Sequence, residues 1–455
     1  MTALIGDGQP VPCVDGTERP YVGLDGAAST GALPAVAARV NGFLPWYSSV
    51  HRGAGYKSRL STASYEAARE ASLRFAGRDG DVDVAIICRN TTEAINHLAY
   101  RLRLNPGDVV VTTVVEHHAN LLPWGRVAQR RYVECGRDGT FTVEDVLKAI
   151  DLSPTPRLLA ITGASNVTGW LPPIDAILDA AHRRRVPVLV DAAQLAPHRP
   201  LPAAADFVAW SGHKLYAPFG AGVLIGPRTA FEYGDPFLAG GGAVDLVDLD
   251  EVQWTEPPER EEAGSPNVVG AVALHAAIDA LSEIGWPAII EHEAALAARL
   301  RSGLAAIPGV RLLGPPLEEP TLSVATFDVE GVHHALVAAR LSAEWGVGVR
   351  HGCFCAHPYL MRLLGLSEAA IARYRSDVQR GDRRQIPGAV RASAGLSSSA
   401  SDIDTLLGAV AAIAAGAPAP VDYVQDPMTG DFWPRSARPG WTAADRHAGA
   451  PCARG

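Results

Sequence analysis

Between residues 80 and 230, short apolar runs alternate with segments whose apolar residues recur at helical spacing. This alternation constrains the fold more than any other feature of the chain. Val82 to Cys88, Asp108 to Val115, Arg157 to Thr162, Pro187 to Val190, Asp206 to Trp210 and Gly222 to Ile225 read as buried strands. Thr92 to Leu102, Val143 to Ile150 and Ile174 to Arg185 read as the helices between them. Strands apolar on both faces must be covered on both, and strands joined through helices pair in parallel. The expected class is therefore α/β, with a large, mostly parallel sheet covered by helices. After about residue 265 the pattern changes. Val268 to Ile284 and Pro287 to Leu304 read as long Ala-rich helices, and weaker strands follow at Val310 to Leu313 and Thr321 to Phe327. That order predicts a smaller C-terminal α+β domain. We divide the chain into an N-terminal arm (1–20), a large α/β domain (21–265), a small domain (266–415) and a tail (416–455) containing Pro, Gly and Trp.

Composition narrows the function classes. The 455 residues carry a formal net charge of −9, and no basic run exceeds Arg183-Arg184-Arg185. A nucleic-acid or membrane-surface partner is not expected of such a chain. The longest apolar stretch, Leu406 to Ala417, is shorter than the roughly 20 residues of a bilayer span. The N-terminus lacks the basic start and apolar core of a signal peptide. Six cysteines without a C-x-x-C pair make neither a disulfide framework nor a thiolate-built metal site. Together these features predict a cytoplasmic protein without a structural metal. Cys88, inside an apolar run, reads as a small buried hydrophobe. The pair Cys353-Phe354-Cys355 lies in a loop bracketed by Gly352 and Pro358, where that reading fits less well.

The only lysines are Lys57, Lys148 and Lys214. Lys148 falls on an amphipathic helix and reads as solvated; Lys57 falls in a Gly/Ser-rich loop. Lys214 follows the strand ending at Trp210, in Ser211-Gly-His-Lys214, before a Gly-rich turn. The carboxyl ends of strands are where α/β sheets bind ligands, and a lysine there is placed to form a Schiff base with a carbonyl cofactor. Pyridoxal 5′-phosphate would need three further partners. Asp191, at another strand end, offers a carboxylate for the pyridine nitrogen, with Gln194 following within reach of the ring oxygen. Thr91 and Thr92 stand at the cap of a predicted helix and suit a phosphate, together with Ser211 and His213. His117, in Glu116-His-His-Ala-Asn120, offers a flat ring to stack on the cofactor.

These stretches resemble fold-type I, class V pyridoxal-phosphate enzymes, in particular Suf-like cysteine desulfurases and selenocysteine lyases. The likeness runs from Tyr21-Val-Gly-Leu-Asp-Gly-Ala-Ala-Ser29 to Arg391-Ala-Ser393. It includes His51-Arg-Gly53, Arg89-Asn-Thr-Thr-Glu93, Glu116-His-His-Ala-Asn-Leu-Leu-Pro-Trp124, Ser165-Asn-Val-Thr-Gly169, Val190-Asp-Ala-Ala-Gln194, Ser211-Gly-His-Lys-Leu-Tyr216 and Ala263-Gly-Ser-Pro-Asn267. The resemblance implies Lys214 as the cofactor lysine, Asp191 on the ring nitrogen, His117 on the ring face and Gln194 on the ring oxygen. It implies Thr92, Ser211 and His213 on the phosphate, with Ser265 reaching the phosphate of the other subunit in a homodimer. His51, Asn166, Arg350 and Arg391 would bind the substrate. The family's loop Arg-x-Gly-x-x-Cys-x-x-Pro matches Arg350-His-Gly-Cys-Phe-Cys355-Ala-His-Pro358 and makes Cys355 the nucleophile that accepts sulfur. Gly352-Cys-Phe-Cys355 and the charged insertion Met361 to Gln385 also resemble molybdenum-cofactor sulfurases. Cys353 reads as a packing or redox-buffering neighbour that points away from Cys355 if the loop is extended.

The resulting expectation is a desulfurase that converts L-cysteine to L-alanine, with a persulfide on Cys355 and a sulfur-acceptor protein as partner. Two alternatives stand beside it. One is a class V aminotransferase, epimerase or lyase acting on another amino acid without a persulfide, since one cofactor supports all these reactions. The other is a sulfur-transfer scaffold without activity, which the presence of Lys214 and Asp191 disfavours. The tail segment Asp426-Pro-Met-Thr-Gly-Asp-Phe-Trp-Pro434 matches no known motif; its aromatic residues fit packing on a subunit, its prolines a disordered linker.

Overall fold

The computed structural model describes residues 1–435. Seven strands form the central sheet: β1 (Asp83–Cys88), β2 (Val109–Thr113), β3 (Gln129–Val133), β4 (Leu158–Thr162), β5 (Val188–Asp191), β6 (Phe207–Ser211) and β7 (Gly222–Pro227). Their spatial order is β1-β7-β6-β5-β4-β2-β3, with only β7 running against its neighbours. The expected mostly parallel sheet is present. Every residue of β2, β4 and β6 is buried, as a sheet covered on both faces requires. Each fully buried Val or Leu in these strands stabilises the fold by about 1.5–3 kcal/mol. Strand β3 has no apolar run and escaped the sequence reading. It is an edge strand, Gln-Arg-Arg-Tyr-Val, with arginines along it. Charged side chains on an edge discourage pairing with another chain and hide the strand from a search for apolar segments.

Helices α1 (Pro34–Phe43), α2 (Tyr56–Phe75), α3 (Thr91–Arg101), α4 (Val143–Asp151) and α5 (Ile174–His182) belong to this sheet domain. Helix α5 ends earlier than expected because Arg185 turns left-handed, at φ 58°, ahead of Val186-Pro187. Lys57 lies in the first turn of α2 rather than in a loop, its ammonium donating to Pro45 O at 2.8 Å. Helix α6 (Val268–Ile284) packs against α1 and α2, whereas α7 (Trp286–Ala305) packs against the small sheet and the last long helix. The change of partner falls at Gly285, beyond the boundary at residue 265 expected from the sequence. Buried Glu293 ties α7 back to the large domain through His198 (2.6 Å) and Arg199 (3.1 Å).

The small sheet contains β8 (Val310–Leu313), β9 (Val324–Val329), β10 (Arg350–Gly352) and β11 (Ala389–Ser393), in the antiparallel order β8-β9-β11-β10. Helices α8 (His334–Trp345), α9 (His357–Leu363), α10 (Glu368–Gln379) and α11 (Ala400–Ala414) complete this part. Helix α10, which buries no residue completely, forms the middle of the charged insertion at 361–385. The tail as far as residue 435 is no loose linker. Strands β12 (Tyr423–Gln425) and β13 (Phe432–Pro434) form a hairpin that packs on α8. The remainder of the tail, 436–455, lies outside the described residues.

Gly222 shows how closely the sheet approaches the start of α3. A Cβ there would stand 2.7 Å from Asn90 Cα and 2.9 Å from Trp210 O, both backbone atoms that cannot swing aside. Gly222→Ala is expected to lower stability by about 1–3 kcal/mol through overpacking. A urea titration should show the midpoint falling with little change in slope.

Candidate active site

The carboxyl ends of the central strands, the start of α3 and the loop after β10 enclose a cavity of about 740 Å³. Lys214 lines it just past the end of β6. Burial brings its ammonium down to about 8, against the opposing charge of Asp191. An amine with a lowered pKa is uncharged over more of the working pH range, and the uncharged amine attacks carbonyls. The control lysine behaves as expected: Lys148 is exposed and pairs with Asp145 at 2.9 Å.

Asp191 closes β5 and lines the same cavity, its Oδ1 accepting from the Ala193 N–H at 3.0 Å. Burial raises its pKa, so a cationic N–H placed beside it would favour its charged form. Gln194, also lining the cavity, donates to Ala27 O at 2.6 Å. His117 lies beyond β2 with its Nδ1 accepting from Ala119 N–H at 3.0 Å. Burial, reinforced by Lys214, lowers its pKa to about 3, so the ring is neutral and free to lie flat against an aromatic group.

At the start of α3 the cap is Asn90, not Thr91 or Thr92: its side chain accepts from Glu93 N–H at 3.0 Å. The two threonines occupy the first turn instead and face the cavity. Thr91 N–H donates to Ser211 Oγ at 2.8 Å, and the two hydroxyls are 2.6 Å apart. His213 lines the wall beside them, and burial lowers its pKa. Helix N–H groups with hydroxyls around them form a phosphate cradle.

Arg350 and Arg391 are direct cross-strand partners on β10 and β11. Asp25, from the chain before α1, lies between them. Its carboxylate takes Arg350 in a fork, with Nη2 at 2.8 Å and Nε at 3.1 Å, and Arg391 Nη2 at 3.1 Å. Arg391 also donates to Asn166 O at 2.8 Å, and its Nε is buried without a partner among the described residues. Burial lowers its pKa to about 10, which still leaves a full cation at neutral pH. The open donor on a buried guanidinium suits a carboxylate.

The cysteine loop is not extended. Phe354 and Cys355 both have φ of 54°, in the left-handed region. The turn brings Cys353 and Cys355 onto one cavity wall, where an extended loop would have separated them. Cys355 O accepts from His118 N–H at 2.8 Å, and Phe354 O from Asn166 Nδ2 at 2.7 Å. Cys355 is the exposed thiol of the two, whereas burial raises the pKa of Cys353. Cys88 is buried in β1 as expected.

Two expected site residues lie elsewhere in this chain. His51 stands before α2 at φ 65°, with Nδ1 3.9 Å from Glu66. Ser265 is exposed in the loop before α6. Two residues that sequence reasoning missed hold the site together. One is Asp25. The other is Glu116, fully buried, which accepts from Thr113 Oγ1 (2.7 Å), Thr162 N–H (3.0 Å) and Asn120 Nδ2 (2.7 Å), joining the ends of β2 and β4. Burial pushes Glu116 up to about 8. Both lie inside quoted motifs, and an acidic residue in an otherwise apolar strand-end segment was the available signal.

A family model described as aminotransferase class V matches residues 22–406. The chain belongs to that family. It is 38% identical over 367 residues to a probable cysteine desulfurase of Halalkalibacterium halodurans, covering 78% of this chain and 88% of that one. A probable cysteine desulfurase of Pseudomonas aeruginosa is 38% identical over 394 residues, covering 84% and 90%. Among solved structures, the apo cysteine desulfurase of Thermococcus onnurineus superposes with a TM-score of 0.77 at 31% identity, covering 87% of this chain and 95% of that one. The Escherichia coli cysteine desulfurase in its S-sulfonic acid form gives 0.73 at 33%, covering 86% and 94%. Members of this family use pyridoxal 5′-phosphate. The residues present fit that cofactor: a lysine of lowered pKa, a buried carboxylate and a hydroxyl-lined helix start share one cavity.

Covalent loading of the cofactor should follow the uncharged amine of Lys214. The initial rate of attachment to apoprotein, read by absorbance, is expected to rise with pH up to about 8 and then level. Lys214→Ala should show no borohydride-trapped cofactor, and Lys148→Ala should load normally. Reduced cofactor mapped to Lys57 would overturn the assignment.

Proposed function

We propose that this chain is a cysteine desulfurase that takes sulfur from L-cysteine onto Cys355 and releases L-alanine. The observation that carries the reading is the convergence of Lys214, Asp191, the Arg350–Arg391 pair and Cys355 on one cavity. Pyridoxal 5′-phosphate, when bound, supplies the electron sink that weakens the bonds at the substrate's Cα and Cβ. Arg391, with Asn166 and Arg350 beside it, holds the substrate carboxylate. Lys214 takes the proton from Cα as general base and returns a proton when alanine forms. Asp191 would hold the proton on the ring nitrogen, and Thr91, Thr92, Ser211 and His213 would hold the phosphate. His117 and Gln194 would orient the ring. The Cys355 thiolate attacks the substrate sulfur, and the Cβ–S bond breaks with its electron pair left on Cβ. That carbon takes up a proton to complete the methyl group of alanine, and a persulfide remains on the protein.

The sulfur then passes to an acceptor. A nucleophilic thiol needs a reducing compartment to stay free, which supports a cytoplasmic location; all five cysteines among the described residues are unpaired. No single helix among the described residues is long and apolar enough to cross a membrane. A homodimer is supported by exposed Leu44, Trp46, Tyr47 and Tyr56, an apolar patch at the ends of α1 and α2. In such a dimer the exposed Ser265 loop and His51 are available to the neighbouring subunit's site.

Holoenzyme incubated with L-cysteine and a reductant is expected to yield alanine and sulfide in equal amounts. Alanine-like turnover of other amino acids, with none of L-cysteine, would favour a class V enzyme of different specificity. Cys355→Ser should bind cofactor and lose persulfide formation, while Cys353→Ser keeps most activity. Asp191→Asn should retain cofactor yet lose on the order of 3 kcal/mol of barrier lowering, about a hundredfold in rate. Light scattering should give twice the mass of one chain.

A further inference from the structure

One thiol in the cavity has no part in the reaction above. Cys353 stands two residues before Cys355, in the loop between β10 and α9, and lines the same wall. The segment 353–356 is a tight turn. Ala356 N–H donates to Cys353 O at 2.9 Å, and Phe354 and Cys355 between them both have φ of 54°. Positive φ at both middle residues is the mark of a type I′ turn. A turn of this kind at Phe354 brings the Cα atoms of its two neighbours into the range of about 4.4–6.8 Å that a disulfide spans. An extended segment would instead place the two side chains on opposite faces.

The side chains are close as well. The backbone N–H of Cys355 is within hydrogen-bonding range of the Cys353 sulfur, which also feels the charge of the Cys355 thiolate. Both cysteines are unpaired. The turn is pinned on both sides, Phe354 O accepting from Asn166 Nδ2 at 2.7 Å and Cys355 O from His118 N–H at 2.8 Å. Two sulfurs fixed on one anchored turn meet at an effective concentration that no free thiol reaches. Their settings differ. Cys355 is exposed, whereas burial raises the pKa of Cys353 and keeps it a thiol with its proton.

We propose that Cys353 discharges the Cys355 persulfide when no acceptor takes its sulfur, releasing hydrosulfide and closing a Cys353–Cys355 disulfide. The proposal rests on the desulfurase reading above. The Cys353 sulfur lies against the backbone of residue 355, so it meets the inner sulfur of the persulfide, the one bonded to Cys355 Cβ. A new S–S bond forms between the two cysteines as the persulfide S–S bond breaks. The electron pair of the broken bond leaves on the outer sulfur, which takes the Cys353 proton and departs as hydrosulfide. The Cys353 sulfur is oxidised and the outer sulfur reduced, so no outside oxidant is consumed. A dithiol, small or protein-borne, then reduces the disulfide and is itself oxidised to one. While the disulfide is closed Cys355 cannot accept sulfur, so turnover waits for a reducing thiol. An acceptor or an added thiol competes for the same persulfide and bypasses the step.

The test uses holoenzyme freed of small thiols, kept without oxygen and given one equivalent of L-cysteine per site. Alanine, hydrosulfide and the mass of the alkylated cysteine-loop peptide are followed over time. If no alanine forms, the desulfurase reading itself fails and the proposal falls with it. Wild-type enzyme is expected to release hydrosulfide and alanine in equal amounts, while the loop peptide loses two hydrogens, the signature of the disulfide. Without L-cysteine the peptide should keep both thiols. Cys353→Ser should form alanine, hold the sulfur on Cys355 and release hydrosulfide at least about tenfold more slowly. A wild-type enzyme that forms alanine, keeps the persulfide on Cys355 and makes no disulfide would overturn the proposal. So would hydrosulfide release from Cys353→Ser at the wild-type rate.

Discussion

The carboxylate of Asp25 lies between two guanidinium groups, and the substrate end of the site depends on that arrangement. Arg350 and Arg391 stand directly opposite each other on adjacent strands, where like charges repel. Asp25 accepts from both and leaves one net positive charge. That is the charge a single substrate carboxylate can balance. Asp25 also comes from the chain's beginning, next to Leu24, whose N–H bonds to Gly348 O, and near Ser393, which it meets in an isolated bridge. The first residues of the large domain are thus tied to the small sheet by the contact that orients the arginines.

Burial then does for the cofactor end what Asp25 does for the substrate end. Lys214, Asp191, Glu116 and His117 all carry pKa shifts whose first cause is loss of water, and each is displaced toward its neutral form. A cavity that has lost water around its ionisable groups is poised to gain from a cofactor that brings its own cation and anion. In the proposed site Asp191 would take the pyridine nitrogen and the start of α3 the phosphate. The energy that binding recovers is the energy that desolvation withheld.

The large sheet was legible because its strands are apolar on both faces and separated by helices. Lys214, Asp191 and His117 were legible because each follows such a strand. What the sequence hid has physical reasons. Strand β3 is an edge and carries arginines where the interior strands carry valine. Asn90 caps α3 although the two threonines after it can also cap; the backbone turn decides which one stands outside the helix. Asp25 touches residues more than 300 positions away, and no local pattern encodes that distance. The hairpin at the tail has strands of three residues each, too short for alternation to register.

The cysteine loop shows how strain and contact offset each other at a functional position. Two consecutive non-glycine residues in the left-handed region cost about 1–2 kcal/mol each, and neither Phe354 nor Cys355 is of a type that adopts it readily. Several contacts hold them there. The Phe354 ring is buried with the Arg391 guanidinium 5.1 Å from its centroid, and its carbonyl accepts from Asn166. The Cys355 carbonyl accepts from His118 N–H. Asn166 in turn accepts from Arg391, so the groups proposed to bind the substrate carboxylate also hold the loop. An extended loop would relieve the strain and move one sulfur out of the cavity. The observed turn keeps Cys355 exposed to the reacting centre while its backbone is anchored on both sides. In the proposed reaction the arginine that would hold the substrate carboxylate would thus also set the position of the Cys355 thiol.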